Sequence, residues 1–239
     1  MTFKLCKKPF YKKKLIFMSA KKADELIKQD VIDQLVWDAS VDANDVLVNV
    51  NDGIVQLSGV VPAYTAKIAA QDNAYRVADV VSVENMIEVE FPAGITLPDD
   101  TEITSMIESK LLWNDQIDAT NIDVETLNGV VTLTGNVNSY WEKSLAKNLA
   151  VATRGVKHVE NNLAVVVGKT FADIDIENDI KNAFKRNILI DADKIDVSVK
   201  NGIAHLTGIV PSFAMKEEAF NSAMMTAGVL DVTDDIIIG

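Results

Sequence analysis

Asn128-Gly129-Val130-Val131-Thr132-Leu133-Thr134-Gly135 decides the fold, because the chain writes this phrase three times. The other copies are Asp52-Gly53-Ile54-Val55-Gln56-Leu57-Ser58-Gly59 and Asn201-Gly202-Ile203-Ala204-His205-Leu206-Thr207-Gly208. From copy to copy the opening glycines (Gly53, Gly129, Gly202) and the closing ones (Gly59, Gly135, Gly208) are offset by 76 and then 73 residues. Asn-Gly or Asp-Gly between alternating apolar runs is the strongest short-range hairpin signal, since both turn residues need positive φ. Val55/Leu57, Val131/Leu133 and Ala204/Leu206 then alternate with polar residues, as a half-buried strand requires. The closing glycine is expected to end each strand where the backbone bends away.

The offsets divide the 239 residues into three units of roughly 70 residues, a size that folds alone only marginally. A hydrophobic content of 48% with 6% aromatic fits small aliphatic cores. The single cysteine, Cys6, excludes an intramolecular disulfide and a cysteine metal cluster. No run approaches the ~18 apolar residues of a membrane span. Charge is uneven. Residues 1–17 carry six lysines and no acid, leaving 17 basic against 35 acidic residues in the body. Such a body repels nucleic acid, which disfavours DNA binding.

Residues 1–20 form a basic tail. Its apolar stretch Leu15-Ile16-Phe17-Met18 is too short for the roughly 7–15 residues of a secretory core. The cytoplasm or the cytoplasmic membrane face is therefore expected. Lysines interleaved with Phe3, Phe10, Tyr11 and Phe17 suit an anionic membrane surface. The plainer reading, translation starting at Met18, is favoured. Each unit then reads α-β-β-α-β: unit one spans 21–91, unit two 99–167 and unit three 173–239, joined by linkers 92–98 and 168–172.

Several positions recur in all three units. Asp42, Asp118 and Asp191 lie eleven residues before the turn glycine. Tyr64, Tyr140 and Phe213 lie five after the closing glycine, and Lys67, Lys143 and Lys216 eight after it. Ala70/Ala146/Ala219 and Ala74/Ala150/Ala223 form one small-residue face of each second helix. Together with Gly155-Val156, Val159-Glu160-Asn161, Gly228-Val229 and Val232-Thr233-Asp234, the hairpins resemble the BON domain. Unit one departs from that pattern at Asp79, where glycine is expected. The resemblance covers about residues 21–239. It implies an α+β fold of three tandem αββαβ BON-like units, each a small mixed sheet covered by two helices. It also implies a non-enzymatic protein of envelope integrity, osmotic stress and phospholipid binding, and brings the periplasm in as the alternative location.

The residues themselves offer little to catalysis. His158 and His205 recur in no other unit, and no nucleophile–base spacing accompanies them. One aspartate per loop at Asp42, Asp118 and Asp191 falls short of the six or more oxygens a hard cation wants. A side-chain-to-backbone bond that orders the loop explains them more cheaply. No catalytic residue, metal site or cofactor is expected. The lysine row is read as stems laid over the sheet edge.

One feature breaks the repetition. Trp141, Leu145, Leu149 and Ala152 share one face of the second helix of unit two, away from its alanines. Lys143, Lys147 and Arg154 flank this stripe. A tryptophan, aliphatics and a basic edge suit an interfacial membrane helix; packing of the stripe against unit one or three is the structural alternative. Trp37 and Trp113, each sixteen residues before its turn glycine, read as end-of-helix core or rim residues. The expected function is non-catalytic binding of a phospholipid membrane surface through Trp141, Leu145, Leu149, Lys143, Lys147 and Arg154. A protein-interaction scaffold using the same stripe is the competing class, and an ion-responsive sensor a third.

Overall fold

The computed structural model describes residues 23–166, 168 and 171–239. The basic tail expected over 1–20 lies outside the described residues, as do positions 167, 169 and 170 beside the second linker. Unit one runs α1 (Asp24–Trp37), β1 (Val46–Asn51), β2 (Ile54–Val61), α2 (Tyr64–Tyr75) and β3 (Ser82–Val89). Unit two runs α3 (Asp100–Leu112), β4 (Ile122–Leu127), β5 (Val130–Val137), α4 (Tyr140–Val151), β6 (His158–Asn161) and β7 (Ala164–Val165). Unit three runs α5 (Asp173–Arg186), β8 (Ile195–Lys200), β9 (Ile203–Val210), α6 (Phe213–Met224) and β10 (Asp231–Ile238). The last strand of unit two, expected over about 159–167, is thus split into two short pieces.

Each turn pair adopts the positive φ that its residues invite, with 52° and 77° at Asp52-Gly53, 53° and 78° at Asn128-Gly129, and 54° and 75° at Asn201-Gly202. These turns close antiparallel hairpins, Val50↔Val55, Thr126↔Val131 and Val199↔Ala204 among the paired residues. The second hairpin strand is central, and the last strand of the unit pairs with it in parallel. A parallel pair needs a crossover, which the second helix supplies. Mixed sheets therefore follow from the α-β-β-α-β order.

The closing glycine does not end the strand. The strands run on to Val61, Val137 and Val210. A Cβ on Gly135 would sit 1.9 Å from the Asn121 carbonyl oxygen, and one on Gly59 2.0 Å from that of Asp45. The glycine admits a neighbouring carbonyl, which is a different requirement from a bend.

Both helices lie on one face of each sheet. Ile27/Val31/Leu35, Ile103/Ile107/Leu111 and Ile176/Ile180/Phe184 of the first helices are buried there. The expected alanine face of the second helices is fully buried, so those helices approach the sheet closely. Each unit has its own core cluster. A further threefold device ties helix to hairpin. Asp24, Asp100 and Asp173, the first residues of the first helices, accept from both turn amides, at 2.9 and 3.1 Å, 2.7 and 2.9 Å, and 2.8 and 2.9 Å. Their constant distance of 29 residues before the turn glycine is legible in the sequence once the turn needs acceptors.

Asp42 and Asp118 order their loops as expected: Asp42 accepts from the Asn44 amide at 3.2 Å, and Asp118 from the Thr120 amide at 3.1 Å. Asp191 instead faces the Lys194 ammonium at 3.4 Å. The lysine row also divides. Asn85 and Asn161 donate side-chain amides to the carbonyls of Lys67 and Lys143 at 2.9 and 2.8 Å. Asp234 takes that place in unit three and has no amide to donate, so the Lys216 ammonium turns back to it at 3.3 Å and to the Ile236 carbonyl at 2.6 Å.

Candidate functional site

The stripe expected on α4 is not a continuous open face. Trp141 remains 49% exposed, but Leu145 and Leu149 are half-buried against the core of unit two, together with Met106 of α3. The physical cause is the neighbouring helix. Lys110 of α3 reaches over the end of α4 and donates to the Thr153 hydroxyl at 2.7 Å and the Ala152 carbonyl at 3.1 Å. A cation at a helix C-terminus satisfies carbonyls that have no partner within the helix. The basic residues are dispersed. Lys143 is half-buried, the charge of Lys147 is felt by Asp72 of unit one, and Arg154 donates to the Thr96 carbonyl of the linker at 3.0 Å. The structure gathers none of these three into one basic edge.

Trp141 lies instead at a junction. The start of α4 (Asn138 to Trp141), the linker residue Phe171 and the end of α6 (Met224 to Val229) line a cavity of about 370 Å³. An equivalent cavity of about 350 Å³ lies between the start of α2 (Pro62 to Thr65), linker residues Phe91 to Leu97 and the end of α4 (Val151 to Val156). The helix residues of the two cavities correspond one for one, one unit along: 62–65 with 138–141, and 151–156 with 224–229.

The aromatic that opens each second helix makes these junctions. Tyr64 of unit one is buried in the core of unit two, edge-on to His158 with ring centres 5.7 Å apart and its hydroxyl 3.2 Å from Nδ1. Burial pushes its hydroxyl pKa up. Tyr140 of unit two packs on the core of unit three, where burial and then the charge of Asp231, the counterpart of His158, push its pKa up. Phe213 of unit three stacks on Tyr75 of unit one, centres 3.6 Å apart and planes 13° from parallel. Unit one docks on two, two on three, and three back on one. The contacts thus link the three units in a closed order, although Phe213 meets Tyr75 of α2 where Tyr64 meets a residue of a last strand. The sequence shows the recurring aromatic, but its destination became visible only in the fold. His158, exposed at the start of β6, is thus also a junction residue.

The first-helix tips face outward. Trp37 and Trp113 do end their helices, but each is 86% exposed, which overturns a core placement. Val36 and Leu112 precede them and are exposed too. Arg186 holds the third equivalent position, and Ile188 beside it, 97% exposed, and Leu189 supply the apolar surface of that tip. No periodic stripe announced these residues. A tryptophan at a last helical turn, followed by Asp38 or Asn114, was the only signal.

Among the described residues no helix is long and apolar enough to cross a membrane, and no group of three or more His, Cys, Asp or Glu is placed to hold a metal ion. His158 and His205 lie in different units, on β6 and β9. No described arrangement assembles a nucleophile with a base.

Comparison with known proteins agrees with this architecture. The pattern of the BON domain matches residues 23–90, 99–167 and 172–239. The Osmotically-inducible protein Y of Escherichia coli (strain K12) is 33% identical over 143 residues, covering 59% of this chain and 71% of that protein. The 21 kDa hemolysin of Actinobacillus pleuropneumoniae is 32% identical over 139 residues, covering 57% and 71%. The C-terminal domain of CdsD, the structural protein of the Type III secretion system of Chlamydia trachomatis, is similar over 91% of this chain and 99% of that one, at 16% identity and a TM-score of 0.25, too loose a match to bear on the fold. With three αββαβ units, each matched by the same pattern over nearly its whole length, this chain belongs to the BON domain family.

Proposed function

We propose that this protein is a non-catalytic binder of phospholipid surfaces in osmotic-stress or envelope maintenance, and that it touches the bilayer through its first-helix tips. The observation that carries this reading is the pair Trp37 and Trp113, 86% exposed at equivalent places. With the tip bearing Ile188 and Leu189, every unit carries exposed apolar surface at the end of its first helix. Tryptophan prefers the membrane–water interface, where its ring is buried and its N–H stays wet, and exposed apolar clusters mark interaction sites. Lys185 and Arg186 on the third tip offer contacts to anionic headgroups in a body that is otherwise acidic. The osmotic connection comes from the relative whose name carries it.

The Trp141 groove, with Phe171, Met224 and Met225, favours a second reading: a protein-interaction scaffold that holds a partner's apolar side chain. Co-sedimentation with liposomes, neutral and anionic, separates the two. The double variant Trp37→Ser/Trp113→Ser is expected to lose about 2 kcal/mol of binding per tryptophan, while Trp141→Ala/Lys143→Glu keeps parental binding. Loss confined to the Trp141 variant moves the lipid contact to α4. No binding by the parent at low salt removes the lipid reading.

A further inference from the structure

The three hairpin turns differ in their first residue. Unit one has Asp52-Gly53 where units two and three have Asn128-Gly129 and Asn201-Gly202. Asparagine followed by glycine can react with its own backbone, because no side chain shields the glycine nitrogen. That nitrogen bonds to the asparagine Cγ, its proton passes to hydroxide, and the Cγ–Nδ2 bond breaks to release ammonia. Water then opens the resulting succinimide at either carbonyl, leaving an aspartyl or an isoaspartyl residue. The net change is amide plus water to carboxylate plus ammonium.

Both turns expose the asparagine and bury the glycine. The attacking nitrogen, however, is held. Gly129 N–H donates to one oxygen of Asp100 at 2.9 Å while Asn128 N–H donates to the other at 2.7 Å. Gly202 and Asn201 donate to Asp173 at 2.9 and 2.8 Å. On the far side, the Gly129 carbonyl accepts from the Lys157 N–H at 2.8 Å, and the Gly202 carbonyl from the Leu230 N–H at 2.9 Å. To attack, the nitrogen must lose its proton and turn its lone pair toward Cγ. Both moves break a charge-assisted hydrogen bond, and the negative nitrogen would form against a carboxylate that repels it.

Unit one shows that an aspartyl product fits. Asp52 has φ 52° where the asparagines have 53° and 54°, and Asp24 accepts from the same two amides at 2.9 and 3.1 Å. An isoaspartyl residue does not fit, since it puts one more carbon between the two amides that a single carboxylate must reach.

We infer that Asn128-Gly129 and Asn201-Gly202 are deamidation sites kept latent by Asp100 and Asp173, and that release of the first helix from its hairpin arms them. Loss of ammonia is irreversible in water, so each turn keeps a record of such openings, and its isoaspartyl form cannot close again on the helix.

Peptide mass mapping of the full chain tests this, after incubation at mildly alkaline pH either folded or in concentrated urea. In the folded parent both turns should convert at least about tenfold more slowly than in urea, because reaction waits on a local opening. Asp100→Ala should speed Asn128 about tenfold and leave Asn201 at the parental rate, and Asp173→Ala should do the reverse. Asp100→Asn, which keeps an acceptor oxygen without the charge, should fall between parent and Asp100→Ala. Equal rates in the folded and unfolded parent overturn the inference. So does an Asp100→Ala chain in which Asn128 is unchanged or slower, the result if the carboxylate served as a base. A rise at both turns alike in each single variant also overturns it, since protection would then belong to folding as a whole and not to the two aspartates.

Discussion

Two tryptophans of unit two, Trp141 and Trp113, exchange the roles their local sequence suggests. Trp141 opens a regular stripe with Leu145 and Leu149, and that regularity reads as a surface for binding. Trp113 ends its helix without a stripe and reads as packing. In the fold α3 lies against α4 and half-covers the two leucines, so Trp141 keeps 49% exposure while Trp113 keeps 86%. Periodicity states which residues share a helix face; what covers that face is a tertiary fact. A residue just past the last buried turn of a helix has no neighbour to cover it, whatever its chemistry.

The largest expected effect tests the covering itself. Leu149→Ala removes a half-buried side chain from the core edge of unit two and should lower the unfolding free energy by about 2 kcal/mol, whereas Trp113→Ala should change it by no more than about 0.5 kcal/mol. Urea titrations of both variants measure this, and equal losses would erase the contrast between the two helices. Quenching by acrylamide in single-tryptophan variants sharpens it: Trp113 should quench roughly twice as efficiently as Trp141, in proportion to 86% against 49% exposure. Reversed order would place the open surface on α4.

A smaller effect distinguishes the two tips from each other. Next to Trp37, Asp38 accepts from the Ser40 hydroxyl, the Asn73 amide and the Ser40 N–H, with Arg76 nearby, which holds its pKa down to about 2 from 3.8. A depressed carboxylate adds stability above its ordinary pKa and loses it as pH falls toward the folded value. Unit two has Asn114 there and no such dependence. Carboxyl titration by NMR should find the Asp38 midpoint near 2, and Asp38→Asn should flatten the pH dependence of stability between about 4 and about 2. An ordinary midpoint would dissolve this difference between the tips.

Much of the fold was legible because it is local and written three times. Turn dipeptides, strand alternation and the alanine face of the second helices each depend on residues a few positions apart. Asp79 shows the limit of pattern matching: it stands where the other units have Gly155 and Gly228, yet adopts the same positive φ, 69° against 90° and 91°. The closing glycine was misread because its reason, a carbonyl about 2 Å from where its Cβ would be, belongs to a different strand entry. Trp37 and Trp113 were misread because exposure at a helix end carries no period.

By itself the sequence determined the three hairpins, the α-β-β-α-β order and the family, since backbone sterics and short-range alternation leave few alternatives for these residues. Only the tertiary structure decided that Tyr64, Tyr140 and Phe213 each enter the next unit, that the third junction returns to the first, and that the open tryptophans are the ones at the helix tips. Those outcomes depend on rigid-body docking of whole units, where contacts join residues up to 138 positions apart, as Tyr75 and Phe213 are, and no local pattern encodes the surface that one unit presents to another.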